Sequence, residues 1–280
     1  KIRLITEDLR PTRKTVEYQG NVEVVGTIKS GAKIAIEGDL AVYGNVEDAE
    51  VYVRGDTFID GGFLGTGAGR IACGGNFEAR FVQSQTVEAR GDITVENGLM
   101  ACNVYSGGRV IVKASDGKIV GGVVRAYRSV ESPLIGSSRP VMTRIDVGVD
   151  PVLMLKVDEL ERRAMQLTKK RIGFLKDLVF VSKTTEIDEA EEMRKDLDAA
   201  CVALQAELMT VGEEIISLRK NAHLDKSATV TARRVCYPPL EISICFTTIV
   251  SEAKTGPVVF RLFEDRIVLD TWSLGLLDGE

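Results

Sequence analysis

In the first half of the chain, apolar and polar residues alternate in short runs, and each run ends on glycine. Written as apolar-x-apolar-x-Gly-polar-apolar, the unit appears as Val22-x-Val24-x-Gly26, Ile34-x-Ile36-x-Gly38-Asp39-Leu40 and Val51-x-Val53-x-Gly55-Asp56. It continues as Ile71-x-Cys73-x-Gly75-Asn76-Phe77, Val87-x-Ala89-x-Gly91-Asp92-Ile93 and Val104-x-Ser106-x-Gly108-Arg109-Val110. From Gly38 the glycines are 17, 20, 16 and 17 residues apart. A beat of six runs through Val22, Ile28, Ile34, Leu40 and Val46. Alternation predicts strands with one apolar face, with Glu23, Lys33 and Glu37 on the other. Glycine is expected to supply backbone freedom at a corner that a Cβ would obstruct, and Asp or Asn to suit the adjoining turn. A repeat of about 17 residues is too short for a βαβ crossover but fits three short strands with three corners. About six such coils between Gly20 and Gly136, stacked about 4.8 Å apart, predict a solenoid rod near 30 Å long. Six-residue beats occur in left-handed and right-handed solenoids alike. The loss of the beat after Gly44 points to the right-handed, irregular form: a mainly β chain folded as a right-handed parallel β-helix over residues 1–150.

After Asp150-Pro151 the period changes. Leu153, Val157, Leu160, Ala164, Leu167, Phe174, Leu178 and Val181 follow the 3-4 spacing of a coiled-coil seam, with Arg171 as the polar intruder. A polar link, Ser182-Lys183-Thr184-Thr185, precedes a second seam of Met193, Leu197, Ala200, Leu204, Leu208, Val211, Ile215 and Leu218. Thr185 and Asp188 are placed to cap the second helix, and the 4-4 step around Leu204 is a stutter. Arms of roughly 30 and 36 residues would extend about 45–55 Å. So short a link predicts an antiparallel α-helical coiled-coil hairpin inserted at residues 151–224. Lys156 to Asp177 carries seven positive and four negative residues, and Glu186 to Lys220 four positive and ten negative. Lys169, Lys170, Arg171 and Lys176 are thus expected level with Glu189, Glu191, Glu192, Asp196 and Asp198, as hairpin electrostatics rather than a nucleic-acid patch.

The β pattern resumes at Ala228–Ala232, Leu240–Ile244, Pro257–Leu262 and Arg266–Leu269, with a turn at Pro238-Pro239. Residues 225–280 are therefore expected to return to the solenoid and extend or cap it. Trp272, Leu274, Leu276 and Leu277 form an apolar tail that reads as a cap on the last coil or, functionally, as a docking patch.

Composition narrows the function. A net charge of −5 and a pI near 5.3 argue against nucleic acid as a partner. No apolar stretch reaches the roughly 20 residues of a membrane span. Cys73, Cys102, Cys201, Cys236 and Cys245 include no CxxC pair, which suits buried thiols in a reducing cytoplasm. His223 is the single histidine and falls at the end of the second arm, whereas a hexapeptide-type acyltransferase would need a basic group on a coil face. Gly65-x-Gly67-x-Gly69 is a candidate phosphate cradle, but Ile71-Ala72-Cys73 after it reads as strand, not helix. Asp39, Asp56 and Asp92 are candidates for calcium or acid–base chemistry, as in a carbohydrate-active β-helix enzyme. Their place after the corner glycine favours turn residues instead.

AKIAIEGDLAVYGNVEDAEVYVRGD, GRIACGGNFEARFVQSQTVEARGDITVENGLM, KIVGGVVRAYRSVESPLIGSS, TRIDVGVDPVLM and VCYPPLEISI together resemble the β-solenoid domain of the flagellar assembly protein A family, and the likeness covers nearly the whole chain. Pro239 departs from it, standing where that family tends to have Gly after Tyr-Pro. The resemblance implies a cytoplasmic bacterial scaffold that binds protein components of flagellar or cell-pole assembly, possible self-association, and no catalytic, cofactor or metal residues to carry over. The family's amino-terminal domain is not represented here, so the chain reads as a fragment. SGAKIAIEGDLAVYGNVEDAEVYVRGD is also similar to the carboxy-terminal β-helix of the cell-division inhibitor MinC. That leaves a MinC-like regulator, beside a carbohydrate-active enzyme, as an alternative to the scaffold.

Overall fold

A strand with an apolar residue at every second position must find cover for one face, and a chain that winds upon itself supplies it from the next turn. The computed structural model, which describes residues 2–181 and 187–271, is a mainly β protein. It contains a β-solenoid of about eight turns and two helices that pack together. It divides into two compact units, residues 1–151 with 224–280 and residues 152–223.

In the first unit the strands form three parallel stacks. One runs from Ile2–Ile5 through Asn21–Val24, Leu40–Val42 and Thr57–Leu64 to Phe77–Gln83 and beyond. A second runs from Val16–Tyr18 through Lys33–Ile36, Glu50–Val53 and Arg70–Cys73 to Thr86–Ala89. The third begins at Leu9, Ile28 and Val46 and continues through Phe63 and Val82 to Leu99. Register is kept from turn to turn, so Val22 lies on Leu40 and Ile34 on Val51 on Ile71 on Val87. These residues are almost wholly buried and form one continuous core.

The glycine repeat marks about six turns, and the structure adds one at each end. Before Gly20, Ile2–Ile5 lies on Asn21–Val24, although no glycine–aspartate step announces it. Arg3 takes the inward register over Val22 and lays its guanidinium on the Tyr18 ring, 5.0 Å from the centroid. A charge turned inward on an edge strand discourages further strand pairing there. After the hairpin, Thr229–Cys236 lies parallel on Ser129–Ile135 and Leu240–Ile244 parallel on Thr143–Val147, with the cis Pro238–Pro239 bond between them. The chain then reverses. Val258–Phe263 pairs antiparallel with Thr229–Cys236, Thr247–Ser251 antiparallel with Leu240–Ile244, and Arg266–Thr271 with Val258–Phe263. Val258 and Phe260 are fully buried against the last turn. Trp272, Leu274, Leu276 and Leu277 lie outside the described residues.

In the second unit, α1 (Pro151–Val181) opens on a proline, whose missing N–H is no loss in a first turn. The second helix, α2 (Ile187–Lys220), ends on Arg219 and Lys220, which suit its negative C-terminus. Leu160, Leu167 and Val211 are buried, with Ala164, Leu204, Leu208, Ile215 and Leu218 packed against them. Three ion pairs fix the antiparallel register: Lys156–Glu214 at 3.3 Å, Arg163–Glu207 at 2.7 Å and Arg219–Glu161 at 2.6 Å. They differ from the set expected from charge blocks. Among the described residues Lys169, Lys170, Arg171 and Lys176 take part in no such pair, and Arg194–Asp198 is formed within α2. The link and Thr185 lie outside the described residues, as does the side chain of Asp188.

Candidate functional site

Asp39, Asp56 and Asp92, the carboxylates with the best claim to chemistry, belong to one corner column together with Asn21 and Asn76. Each side-chain oxygen accepts the backbone N–H of the equivalent residue one turn on. Asn21 Oδ1 receives Asp39 N (3.1 Å), Asp39 Oδ1 receives Asp56 N (2.9 Å), and Asp56 Oδ1 receives Asn76 N (2.6 Å). Asn76 Oδ1 then receives Asp92 N (2.9 Å) and Asp92 Oδ1 receives Arg109 N (2.8 Å), where the column ends in an ion pair between Arg109 and Asp92. Burial works against the charge of Asp92, but the Arg109 hydrogen bonds hold its carboxyl below the usual range.

This ladder corrects the reason for the repeat glycines. None of Gly38, Gly55, Gly75, Gly91 and Gly108 has a positive φ, so backbone freedom is not what they supply. A Cβ at Gly55 would overlap Asp39 Oδ1, and one at Gly91 would overlap Asn76 Oδ1. The glycine makes room for the ladder side chain of the turn before. Glycine and the Asx residue after it are one device, read across turns rather than along the chain.

Beside the ladder lies an open groove of about 380 Å³, lined by Glu23, Asp39, Phe58, Asp56, Asn76 and Glu78 among others. Its carboxylates are spread along the stack. Among the described residues no three His, Cys, Asp or Glu side chains converge as metal ligands.

The Gly65-Thr66-Gly67-Ala68-Gly69 loop does cradle an anion, and the anion is the protein's own. Thr66 N donates to both oxygens of Asp48 (2.9 and 2.8 Å), and Ala68 N (3.2 Å) and Thr66 Oγ1 (3.0 Å) donate as well. Gln85 Nε2 donates at 2.7 Å, while Gln85 Oε1 accepts from Gly69 N. Chiefly through the Gln85 bond, which with the Thr66 and Ala68 donors outweighs the cost of burial, the Asp48 carboxyl is lowered to about 2.

Sequence reasoning missed Asp48 and Gln85, and also Arg125 and Asp146. These two occupy consecutive positions of an outward-facing column, yet are 2% and 4% exposed and form an ion pair at 2.8 Å. The register Arg125↔Asp146 could have revealed them, because outward neighbours of opposite charge one turn apart stand out once the coil length is known.

Four of the five thiols are buried in the β unit. Burial raises Cys73 and Cys236 to about 11 and also raises Cys102 and Cys245. His223 is exposed. Apolar side chains reach solvent on the outer face of the first turns, at Leu4, Val25, Tyr43 and Phe58. The register Leu4↔Glu23↔Ala41↔Phe58↔Glu78 puts this apolar surface next to acidic residues. No helix among the described residues is long and apolar enough to cross a membrane.

The family model for the flagellar assembly protein A beta solenoid domain matches residues 15–267. No curated protein and no solved structure matches the chain.

Proposed function

Because the chain belongs to the flagellar assembly protein A β-solenoid family, we propose that it is a non-catalytic scaffold of flagellar assembly. Its solenoid face and coiled-coil arm both bind protein partners. One observation carries the reading. The polar groups that could have done chemistry in the repeat, Asp39, Asp56, Asp92 and Asp48, bond one turn to the next, while large apolar side chains stand exposed on both units. Exposed apolar surface beside charged residues is the ordinary signature of protein docking. The acidic groove along the ladder suits a basic partner surface, and the protein works in the cytoplasm, where flagellar components are put in order.

The test is genetic. A strain whose chromosomal copy lacks residues 152–223 should accumulate a folded β unit and assemble misplaced or missing flagella. Normal swimming in that strain, or in one lacking the whole gene, would sink the reading. Calorimetry that showed calcium or oligosaccharide uptake, abolished by Asp56→Asn, would put a carbohydrate-active β-helix in its place.

A further inference from the structure

One face of the solenoid changes character along its length. Its outward positions, in the stack that begins at Ile2–Ile5, form three columns. The first is the ladder of Asn21, Asp39, Asp56, Asn76 and Asp92. The middle column runs through Leu4, Glu23, Ala41, Phe58 and Glu78. The outer column holds the residues that follow Val24, Val42, Ile59 and Ala79, namely Val25, Tyr43, Asp60 and Arg80.

From the fourth turn onward these columns neutralise themselves. Asp60 pairs with Arg80 at 3.4 Å, Glu78 with Lys113 at 2.8 Å, Asp92 with Arg109 at 2.8 Å and Glu131 with Arg233 at 3.4 Å. Glu96 also acts on Lys113, helping to raise its pKa. In the turns before, Glu23, Asp39 and Asp56 form no ion pair among the described residues. Apolar surface divides at the same place. Leu4, Val25, Tyr43 and Phe58 are between 40% and 59% exposed, whereas the middle column continues through half-buried Thr94 and Ile111. A repeat that balances its own charge over one half, and leaves the other half acidic and apolar, has that half prepared for something basic and apolar.

The acidic and apolar groups lie in parallel stripes. Asp39 and Asp56 stand on one side of Ala41 and Phe58, with Val25 and Tyr43 on the other, and the groove of about 380 Å³ opens over Ala41 between Glu23 and Phe58. Asp39 and Tyr43 are four strand residues apart, about 13 Å, and Leu4 and Phe58 three strand spacings apart, about 14 Å. A helix is about 10 Å across, and about ten residues of it span 15 Å. One oxygen each of Asp39 and Asp56 is held by the ladder. The second oxygen of Asp39 takes the Asn21 amide at 3.2 Å and no cation among the described residues. Unpaired carboxylates repel nucleic acid and anionic lipid, and among the described residues no three acidic side chains converge on a metal position.

We propose that this face binds a cationic amphipathic helix of a partner protein, laid along the solenoid axis. Its apolar side rests on Phe58, Tyr43 and Val25, and its Lys or Arg side chains reach Glu23, Asp39 and Asp56. The proposal names the chemistry of the partner and so rests on the reading of the solenoid face as a docking surface.

The probe is a fluorescein-labelled peptide of about fifteen residues, long enough to cross the four turns as a helix, with lysine on one side and leucine on the other. Its anisotropy with the full chain should show saturable binding that weakens as salt rises, and the same peptide with glutamate for lysine should not bind. Asp39→Asn with Asp56→Asn removes two charges yet leaves an acceptor in each rung, as Asn21 and Asn76 already provide. That pair should weaken binding about tenfold. Phe58→Ala should weaken it about tenfold or more, and Tyr43→Ser should act likewise, which keeps the apolar half testable if one variant fails to fold. Glu191→Gln with Glu192→Gln, the same charge removed from the hairpin, should change nothing. No saturable binding to the parent, binding indifferent to the Asn pair or to both apolar variants, or an equal loss with the hairpin pair would overturn the proposal. Spermidine that binds as tightly as the peptide and ignores Phe58→Ala would replace the helix with a small cation. A face that fails these tests, in cells whose flagella still depend on the gene, would fall and leave the scaffold standing. A face that passes them, in cells that swim normally without the gene, would do the reverse.

Discussion

The two units use repetition in different ways. In the solenoid each turn is bonded to the next by backbone hydrogen bonds in three stacks and by a side-chain ladder at the corner, so the repeat holds itself together in every direction but along its ends. In the hairpin each helix closes its backbone bonds internally. What joins the helices is a narrow seam around Leu160, Leu167 and Val211 with three exposed ion pairs. The solenoid therefore has almost no unused inner surface, while the hairpin keeps a row of apolar side chains outside its seam. A repeat that bonds on all sides makes a support, and one that bonds on a single side retains a face for something else.

The largest effect should come from the continuous core. Phe77 is buried at 1% exposure between the strands Thr57–Leu64 and Ile93–Ser106. Phe77→Ala should lower the unfolding free energy of the β unit by about 3–5 kcal/mol. The corresponding cut in the seam, Leu160→Ala, should reduce helical signal and leave the β transition where it was. Denaturant unfolding followed separately through the helical and β signals checks this. If Leu160→Ala moved the β transition as far as Phe77→Ala does, the two units would be one cooperative body and the contrast between them would fall.

Acid should reach the solenoid through Asp48. Its carboxyl is lowered to about 2 from an ordinary 3.8, so the stability it contributes is complete above about pH 4 and is lost as pH falls toward 2. In Asp48→Asn the thermal midpoint should already be lower at pH 6 and should fall less between pH 4 and pH 2 than in the parent. An unchanged slope would mean that the 65–69 loop does not depend on its internal anion.

The periodic parts of this molecule were legible in the sequence. Gly-Asp steps with alternating Val and Ile announce turns, and 3-4 spacing after Pro151 announces helices. The parts that depend on what lies one turn away were not. Gly55 looks like a corner glycine until Asp39 is seen where its Cβ would be. Gly65 to Gly69 looks like a phosphate loop that lacks its helix until Asp48, seventeen or more residues earlier, is seen inside it. Arg125 and Asp146 sit at outward positions that alternation alone would leave wet. The first turn, at Ile2–Ile5, lies within the expected 1–150 solenoid but lacks the Gly-Asp step, so the repeat alone did not count it. The ion pairs expected near the link were displaced toward Lys156 and Arg163, since blocks of charge say which helices attract but not which residues meet.

A double-mutant cycle on the ladder measures that missing level directly. Asp56→Ala removes the acceptor for Asn76 N and should cost about 1–2 kcal/mol. Gly75→Ala alone forces a methyl onto the Asp56 carboxylate. The two changes made together should cost less than their sum, because the first clears the space that the second fills. Strict additivity would mean that glycine and Asx are independent, and that the ladder is a by-product of the fold.

The smallest effect should be at Arg163. It meets Glu207 at 2.7 Å, but the two side chains are 58% and 40% exposed, so water and salt screen most of their attraction. Arg163→Ala should change hairpin stability by no more than about 1 kcal/mol, and by less in high salt. The pair nonetheless has a use that stability does not register. It favours one axial alignment of the two helices, which the apolar seam by itself defines less sharply. If Arg163→Ala proved as costly as Asp56→Ala, the seam residues would be too few to hold the helices, and the hairpin would depend on its charges where the solenoid depends on its core.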